Sequence, residues 1–404
     1  MNFMVIGDRI NLRAAWVDLL LPLSLLGLAF ERSGDPLWMI ISLTLWCVLK
    51  CIARMPQQPV YGVLIGVIMV SLGVIVRPAS ISSPADMILV LVAFAAGLNQ
   101  TNQHWKVTLF ILLAGVFVSI PFLETRDYTY NGNLSIIPFS SLRELLPQTV
   151  FRLQKITINR SGYIFGMMSL FGCGLWRFSR RSSVGLLAGI AGAISIVLAF
   201  STGSRASFWF PVLAVIIAEL CWQNRERVGR ISGRLAGFLI VMAFVLNLFM
   251  YLPFGSFAKR SISDSERASV AQCFVRESFK SWPGVAIGDG FDRRSNRCSE
   301  LTDNVSHAHN AFLQVLGDQG LIAFVLMILA SWVILQRLFI ALAWDDLGVA
   351  WIGLACTLFI MTSGLVESTL IKTSFQQVVT GYVLSMAWMC SSDPPDEKSD
   401  CFKS

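Results

Sequence analysis

Leu321-Ile322-Ala323-Phe324-Val325-Leu326-Met327-Ile328-Leu329-Ala330-Ser331-Trp332-Val333-Ile334-Leu335 contains no charge in fifteen residues and decides the class of the fold. Extended to 319–341 it meets one charge, Arg337. As a helix rising 1.5 Å per residue, that segment crosses a hydrocarbon core about 30 Å thick. Lipid offers the backbone no hydrogen-bond partners, so a spanning segment of this kind must be helical. Similar runs recur from one end of the chain to the other. The 404 residues are 55% hydrophobic and 14% charged, where a soluble domain carries about 25% charged residues. The expectation is an all-α, polytopic integral membrane protein.

About twelve spans are read this way: 14–30, 37–53, 59–76, 86–100, 106–123, 162–177, 183–200, 206–222, 235–252, 319–341, 347–364 and 375–390. The first is followed by Glu31-Arg32-Ser33-Gly34-Asp35-Pro36 rather than a small-residue cleavage site, so it reads as a span and not a cleaved leader. The net charge of +7 sits largely in short loops, which makes it a topology signal rather than a nucleic-acid footprint. One side receives Arg9, Arg13, Lys50, Arg54, Lys106, Arg177, Arg180, Arg181, Arg225, Arg227, Arg230, Arg234 and Arg337. By the positive-inside rule that side is cytoplasmic and holds both termini. The chain then divides into spans one to nine over 1–252, an outer segment over 253–310, spans ten to twelve over 311–390, and a cytoplasmic tail over 391–404. A second outer segment covers about 124–160.

The outer segment 253–310 holds two of the three histidines, in Ser306-His307-Ala308-His309-Asn310-Ala311-Phe312-Leu313-Gln314. A helix starting near 308 sets His309, Phe312, Leu313 and Leu316 on one face, with Asn310, Gln314 and Asp318 as a polar stripe beside it. The positive end of a helix dipole favours neutral imidazole, which suits His309 as a general base on a hydroxyl. A hydrogen-bonded interfacial histidine fits the same pattern. His307 reads as a cap or supporting group. A metal on His307 and His309 needs further ligands such as Asp292 or Asp303, and the pattern is too sparse for one. Arg205 follows a glycine-containing turn at the outer end of a span, and Arg267 opens an amphipathic helix. Both suit bidentate contact with phosphate or pyrophosphate, or alternatively a lipid headgroup or salt bridge. Glu367 lies at an outer span end and is either a cavity acid or a solvated one. If 253–310 is extracytoplasmic, Cys273 and Cys298 are in a compartment where they can pair. The chain has no P-loop, Gly-x-Ser-x-Gly elbow or His-Glu-x-x-His pattern.

Three local patterns together resemble the O-antigen ligase and O-antigen polymerase superfamily of bacterial membrane glycosyltransferases. They are Thr202-Gly203-Ser204-Arg205; Ser265-Glu266-Arg267 with Pro283-Gly284-Val285-Ala286-Ile287-Gly288; and His309-Asn310 with Gly317-Asp318-Gln319-Gly320-Leu321-Ile322. Ala271-Gln272 stands where the family often has tryptophan, and Ala323 stands where it often has glycine. The resemblance implies transfer of an undecaprenyl-pyrophosphate-linked glycan to an acceptor hydroxyl, with inversion, at the periplasmic face of the inner membrane. No cofactor or metal is implied. By position, His309 is the general base, Arg205 and Arg267 bind the pyrophosphate, and His307, Asn310, Gln314 and Glu367 support them. The partners implied are the lipid-linked donor, a lipid A–core or lipid-linked glycan acceptor, and membrane lipids; nucleic acid is not among them. A ligase, a repeat-unit polymerase and transfer to a protein hydroxyl fit the same motifs. A lipid-linked oligosaccharide transporter is the reading from another class. It calls for mid-membrane charges and repeated halves, which the spans do not display.

Overall fold

The structure, a computed structural model, describes residues 123–127, 149–153, 158–179, 182–251, 262–280, 282–288, 298, 308, 310–345, 348–366 and 374–389, with single helical residues between 90 and 113. The expected spans 14–30, 37–53 and 59–76 and the tail 391–404 lie outside the described residues. Spans 86–100 and 106–123 are represented by those single residues.

Helices α1 (Ile158–Phe178), α2 (Ser183–Ser201), α3 (Arg205–Gln223) and α5 (Ser232–Tyr251) follow the expected spans to within a few residues, with a short α4 (Arg225–Arg230) between the last two. Helices α6 (Ile262–Ser278) and α7 (Trp282–Ile287) fold the outer segment. The chain continues through α8 (Ala311–Leu342), α9 (Val349–Val366) and α10 (Ser374–Met389). The boundaries have local causes. Ser182 caps α2 by accepting from the Gly185 amide at 3.0 Å. Asp345 caps α9, its carboxylate accepting from the amides of Gly348 and Ala350. Among the described residues, α2, the 206–223 stretch of α3, α8 and α9 are long and apolar enough to cross a membrane. The protein is a multi-pass helical membrane protein.

The described residues are helical apart from one antiparallel ribbon, β1 (Leu123–Asp127) paired with β2 (Thr149–Leu153), in register from Leu123 opposite Leu153 to Asp127 opposite Thr149. Its strands lie in the segment 124–160, the first beginning at the last residue of the expected fifth span.

The expected span at α8 lies within two residues of the stretch after a break in that helix. The span read as 319–341 is one 32-residue helix whose backbone breaks at Gly320, with φ 80° and ψ −176°. That conformation is essentially restricted to glycine. The stretch 321–342 is about 33 Å long, enough to span the core. The stretch 311–319 is a separate, largely buried helix above it. The partner in the break is Gly288, with φ 72°: a Cβ there would fall 2.3 Å from the Asp318 carbonyl oxygen, and one on Gly320 would fall 2.4 Å from the Gly288 amide. Two glycine-containing motifs far apart in sequence are thus one contact, in which the end of α7 presses into the kink of α8.

Helix α9 is the central element, buried from Val349 to Ile360 and again at Ser363–Leu365, against α1, α3, α8 and α10. Helices α1 and α2 meet backbone to backbone, since a Cβ on Gly172 would fall 2.4 Å from the Gly192 Cα. Small residues give lipid-embedded helices this close approach.

The helices alternate in direction and so sort the charged residues. At one end, Arg177 of α1 bonds Glu219 of α3 at 3.0 and 3.1 Å, with its guanidinium 5.0–5.5 Å from the rings of Phe178, Trp222 and Trp351. Arg225, 5.1 Å from the Trp222 ring, and the rest of α4 share that end, as does Arg337, 5.0 Å from the Trp388 ring. The opposite end holds the start of α1, the α2–α3 turn, the start of α8 and the end of α9.

Candidate functional site

At this second end the α2–α3 turn is tightly specified. Thr202 is buried, donates to the Ala199 carbonyl at 2.7 Å and accepts from the Ser204 amide at 3.3 Å. Gly203 supplies a positive φ of 71°. Ser207 donates to Ser204 at 2.8 Å. A Cβ on Gly162 would fall 2.5 Å from the Ser207 hydroxyl and 2.7 Å from that of Thr202, so the start of α1 is seated directly on the turn. The first residue of α3 is Arg205, which the turn delivers to this end of the bundle.

The start of α8 differs from the sequence expectation. The helix begins at Ala311, three residues after the expected start, because Asn310 takes the N-cap position with extended backbone, φ −155°. Its Oδ1 accepts from the Leu313 amide at 2.9 Å, the bond that makes asparagine a preferred cap. The expected helical face headed by His309 therefore starts at Phe312 instead. The Asn310 Nδ2 donates to the Leu365 carbonyl at 2.9 Å, tying the cap to the last turn of α9. The polar stripe is present as buried bonds. Gln314 Nε2 donates to Asp318 at 2.7 Å and its Oε1 accepts from the Ala308 amide at 3.1 Å. Asn310, Gln314 and Asp318 are all buried. The residues on either side of position 309 are thus both pinned.

Helix α6 closes the site from the outer segment. Val270, Cys273 and Phe274 pack in one cluster with Cys298 and Ala308, with Leu313 against them. Burying Val270 and Phe274 contributes about 1.5–3 kcal/mol each. Cys273 and Cys298 form a disulfide with Cα atoms 5.9 Å apart. Arg267 stands one turn before Val270 on the same helix.

The structure therefore brings together the cap Asn310, Gln314, the helix carrying Arg267 and the end of α9. It places the Arg205 helix start at the same end, on α3 packed against α9. His307, His309 and Glu367 lie outside the described residues, as do Asp292 and Asp303. Glu367 follows Leu365, the residue held by Asn310, by two positions. Among the described residues, no three His, Cys, Asp or Glu side chains gather in a metal-holding group. The Leu365 carbonyl escaped sequence reasoning, and no local pattern marks it. Beside it opens an apolar recess between α5, α8 and α9, lined by Ile240, Phe244, Phe312, Ile328, Met361 and Leu365.

At one end this polytopic helical bundle gathers a glycine-locked turn leading into Arg205, the Asn310 cap of α8 and a disulfide-linked α6. Residues 190–328 match the family model described as O-antigen ligase, so this part of the chain is similar to that family. The match contains Arg205, Arg267, His307, His309, Asn310 and Gln314; Glu367 falls beyond it. No curated protein matches the chain.

Proposed function

We propose that the protein transfers an undecaprenyl-pyrophosphate-linked glycan to an acceptor sugar hydroxyl at the periplasmic face of the inner membrane, as an O-antigen ligase with lipid A–core as acceptor. The observation that carries the reading is the pinning of the 308–310 junction by Asn310 and Gln314, at the same bundle end as the Arg205 turn. His309 removes the acceptor hydroxyl proton. The freed oxygen attacks the anomeric carbon from the face opposite the leaving group, forming the new glycosidic bond with inversion. The bond to the pyrophosphate breaks, and undecaprenyl pyrophosphate departs with the charge. Arg205 and Arg267 hold that pyrophosphate by bidentate contacts, which strengthen as its charge grows. Asn310 and Gln314 fix the backbone around the base, and His307 and Glu367 complete its polar surroundings. No metal or cofactor takes part.

Two further observations support this arrangement. A disulfide persists in oxidising compartments, which suits a periplasmic position for α6 and the site. The described arginines at the opposite end suit a cytoplasmic position there. Among the described residues, the buried acids Glu277, Asp318 and Asp345 lie in the outer segment, above the kink and in a connecting loop. None lies in mid-span, where a transporter would place its coupling groups.

The test is complementation of one strain lacking its O-antigen ligase and another lacking its polymerase, with His309→Ala as control. A lipopolysaccharide ladder restored in the first strain by the wild type alone supports the ligase reading. Long chains restored only in the second assign repeat-unit polymerisation instead. An inert protein in both strains that also leaves its native lipid-linked glycan untransferred refutes the glycosyltransferase reading.

A further inference from the structure

The junction between α6 and α7 carries a concentrated apolar edge. Phe279 is 61% exposed, Trp282 80% and Ile287 44%. Isolated exposed apolar residues are ordinary on protein surfaces, but here three fall within one short stretch of an otherwise polar segment. The edge cannot rotate inward. Gly284 and Gly288, on the other side of α7, are buried, and Gly288 is locked against Gly320 at the kink of α8. The kink is also where the outward apolar strip of α8 begins. Leu321, Ile322, Val325, Leu326 and Leu329 are all exposed, on a helix long and apolar enough to span a bilayer. The Gly288–Gly320 contact therefore sets the end of α7 beside the start of that strip. Beside it, Arg276 and Lys280 both pair with the buried Glu277, Arg276 at 3.9 Å, leaving one net positive charge among the three, with the two cationic side chains still 70% and 62% exposed. Tryptophan and phenylalanine next to long cationic side chains is the composition of segments that lie at the boundary between headgroups and acyl chains.

We propose that Phe279, Trp282 and Ile287 are seated in the phospholipid interface of the outer leaflet, with Arg276 and Lys280 reaching the headgroup phosphates. This contact fixes the height of the outer segment above the bilayer through the α7–α8 lock. It is independent of which reaction the site performs.

The experiment is photo-crosslinking of the full chain in nanodiscs of phosphatidylethanolamine and phosphatidylglycerol, without polyprenyl lipid. Trp282→p-benzoylphenylalanine is compared with the same replacement at Leu326, on the apolar strip of α8, and at Glu226, an exposed position in α4. Lipid adducts at 282 in a yield comparable to 326, with none at 226, are expected. Adducts at 326 but none at 282 would place the edge in water and overturn the proposal. An adduct at 282 to a second copy of the protein would overturn it equally, in favour of self-association. Phe279→p-benzoylphenylalanine gives the same reading should the variant at 282 fail to accumulate.

Discussion

Replacing Asn310 with alanine removes two bonds at the base of the candidate site. The cap bond to the Leu313 amide is worth about 1 kcal/mol. The bond to the Leu365 carbonyl is worth about 1 kcal/mol more, and its loss leaves a buried acceptor without that donor. Together they weaken the start of α8 by about 2 kcal/mol, roughly thirty-fold in the local opening equilibrium at 1.36 kcal/mol per tenfold. Asn310→Asp separates the two effects. Its carboxylate still caps, but it cannot donate to Leu365, so about 1 kcal/mol, or roughly five-fold, is lost. Hydrogen exchange of the full-length protein, followed by mass spectrometry over 310–319, reads these differences directly. The alanine variant is expected to exchange fastest at the first turn of α8, with the aspartate variant between it and the wild type. Glycan transfer should fall in both, because both release the backbone next to His309 from α9. Wild-type exchange at 311–314 together with wild-type transfer in Asn310→Ala would refute the claim that this cap organises the site.

Gly320→Ala sets a Cβ against the Gly288 amide in a backbone conformation reserved for glycine, at a cost above about 2 kcal/mol; a thermal midpoint equal to the wild type would rule out the lock. Cys298→Ser opens a cross-link spanning 25 residues, worth about 3 to 4 kcal/mol. Reductant should lower the thermal midpoint of the wild type to that of the variant and leave the variant unchanged; insensitivity of the wild type would show that the bond is not formed. Arg205→Lys keeps the charge but not the forked donor geometry, so turnover should fall by about tenfold or more while expression is retained. A fully active lysine variant would remove Arg205 from the pyrophosphate contact.

The spans themselves were readable because their limits are written locally. Residues 183–200 and 206–222 were expected and α2 and α3 run over 183–201 and 205–223, bounded by the Ser182 cap and the Thr202-Gly203-Ser204 turn. Where the cause is tertiary, no local sign of it stands in the sequence. Gly320 breaks α8 against Gly288, thirty-two positions earlier, and nothing near Gly320 announces that partner. The ribbon of β1 and β2 pairs strands separated by more than twenty residues, and span periodicity does not detect such pairing. The start of α8 was misplaced although its signal was present: asparagine immediately before an apolar run is a cap signature. The candidate residues were named from their chemistry and local motifs. What gathers their elements are the Asn310–Leu365 bond, the seating of Gly162 on Ser207 and the Val270–Ala308 cluster, all joining segments distant in sequence. The Cys273–Cys298 pairing stayed open on sequence alone because it depends on which side of the membrane the segment occupies.

The disulfide also bears on the order in which the protein is made. Both cysteines precede α8, α9 and α10 in the order of synthesis. At about 5–20 residues per second, the stretch from 298 to 389 takes about 5–20 s to synthesise. Disulfides begin to form within seconds where an oxidant is present. On an oxidising side of the membrane, the α6 platform can therefore be covalently closed before its central neighbour is inserted. Helix α8 then docks its first turn and its kink onto a surface already set, and α9 follows to receive the Asn310 bond at Leu365, so the site is assembled in chain order.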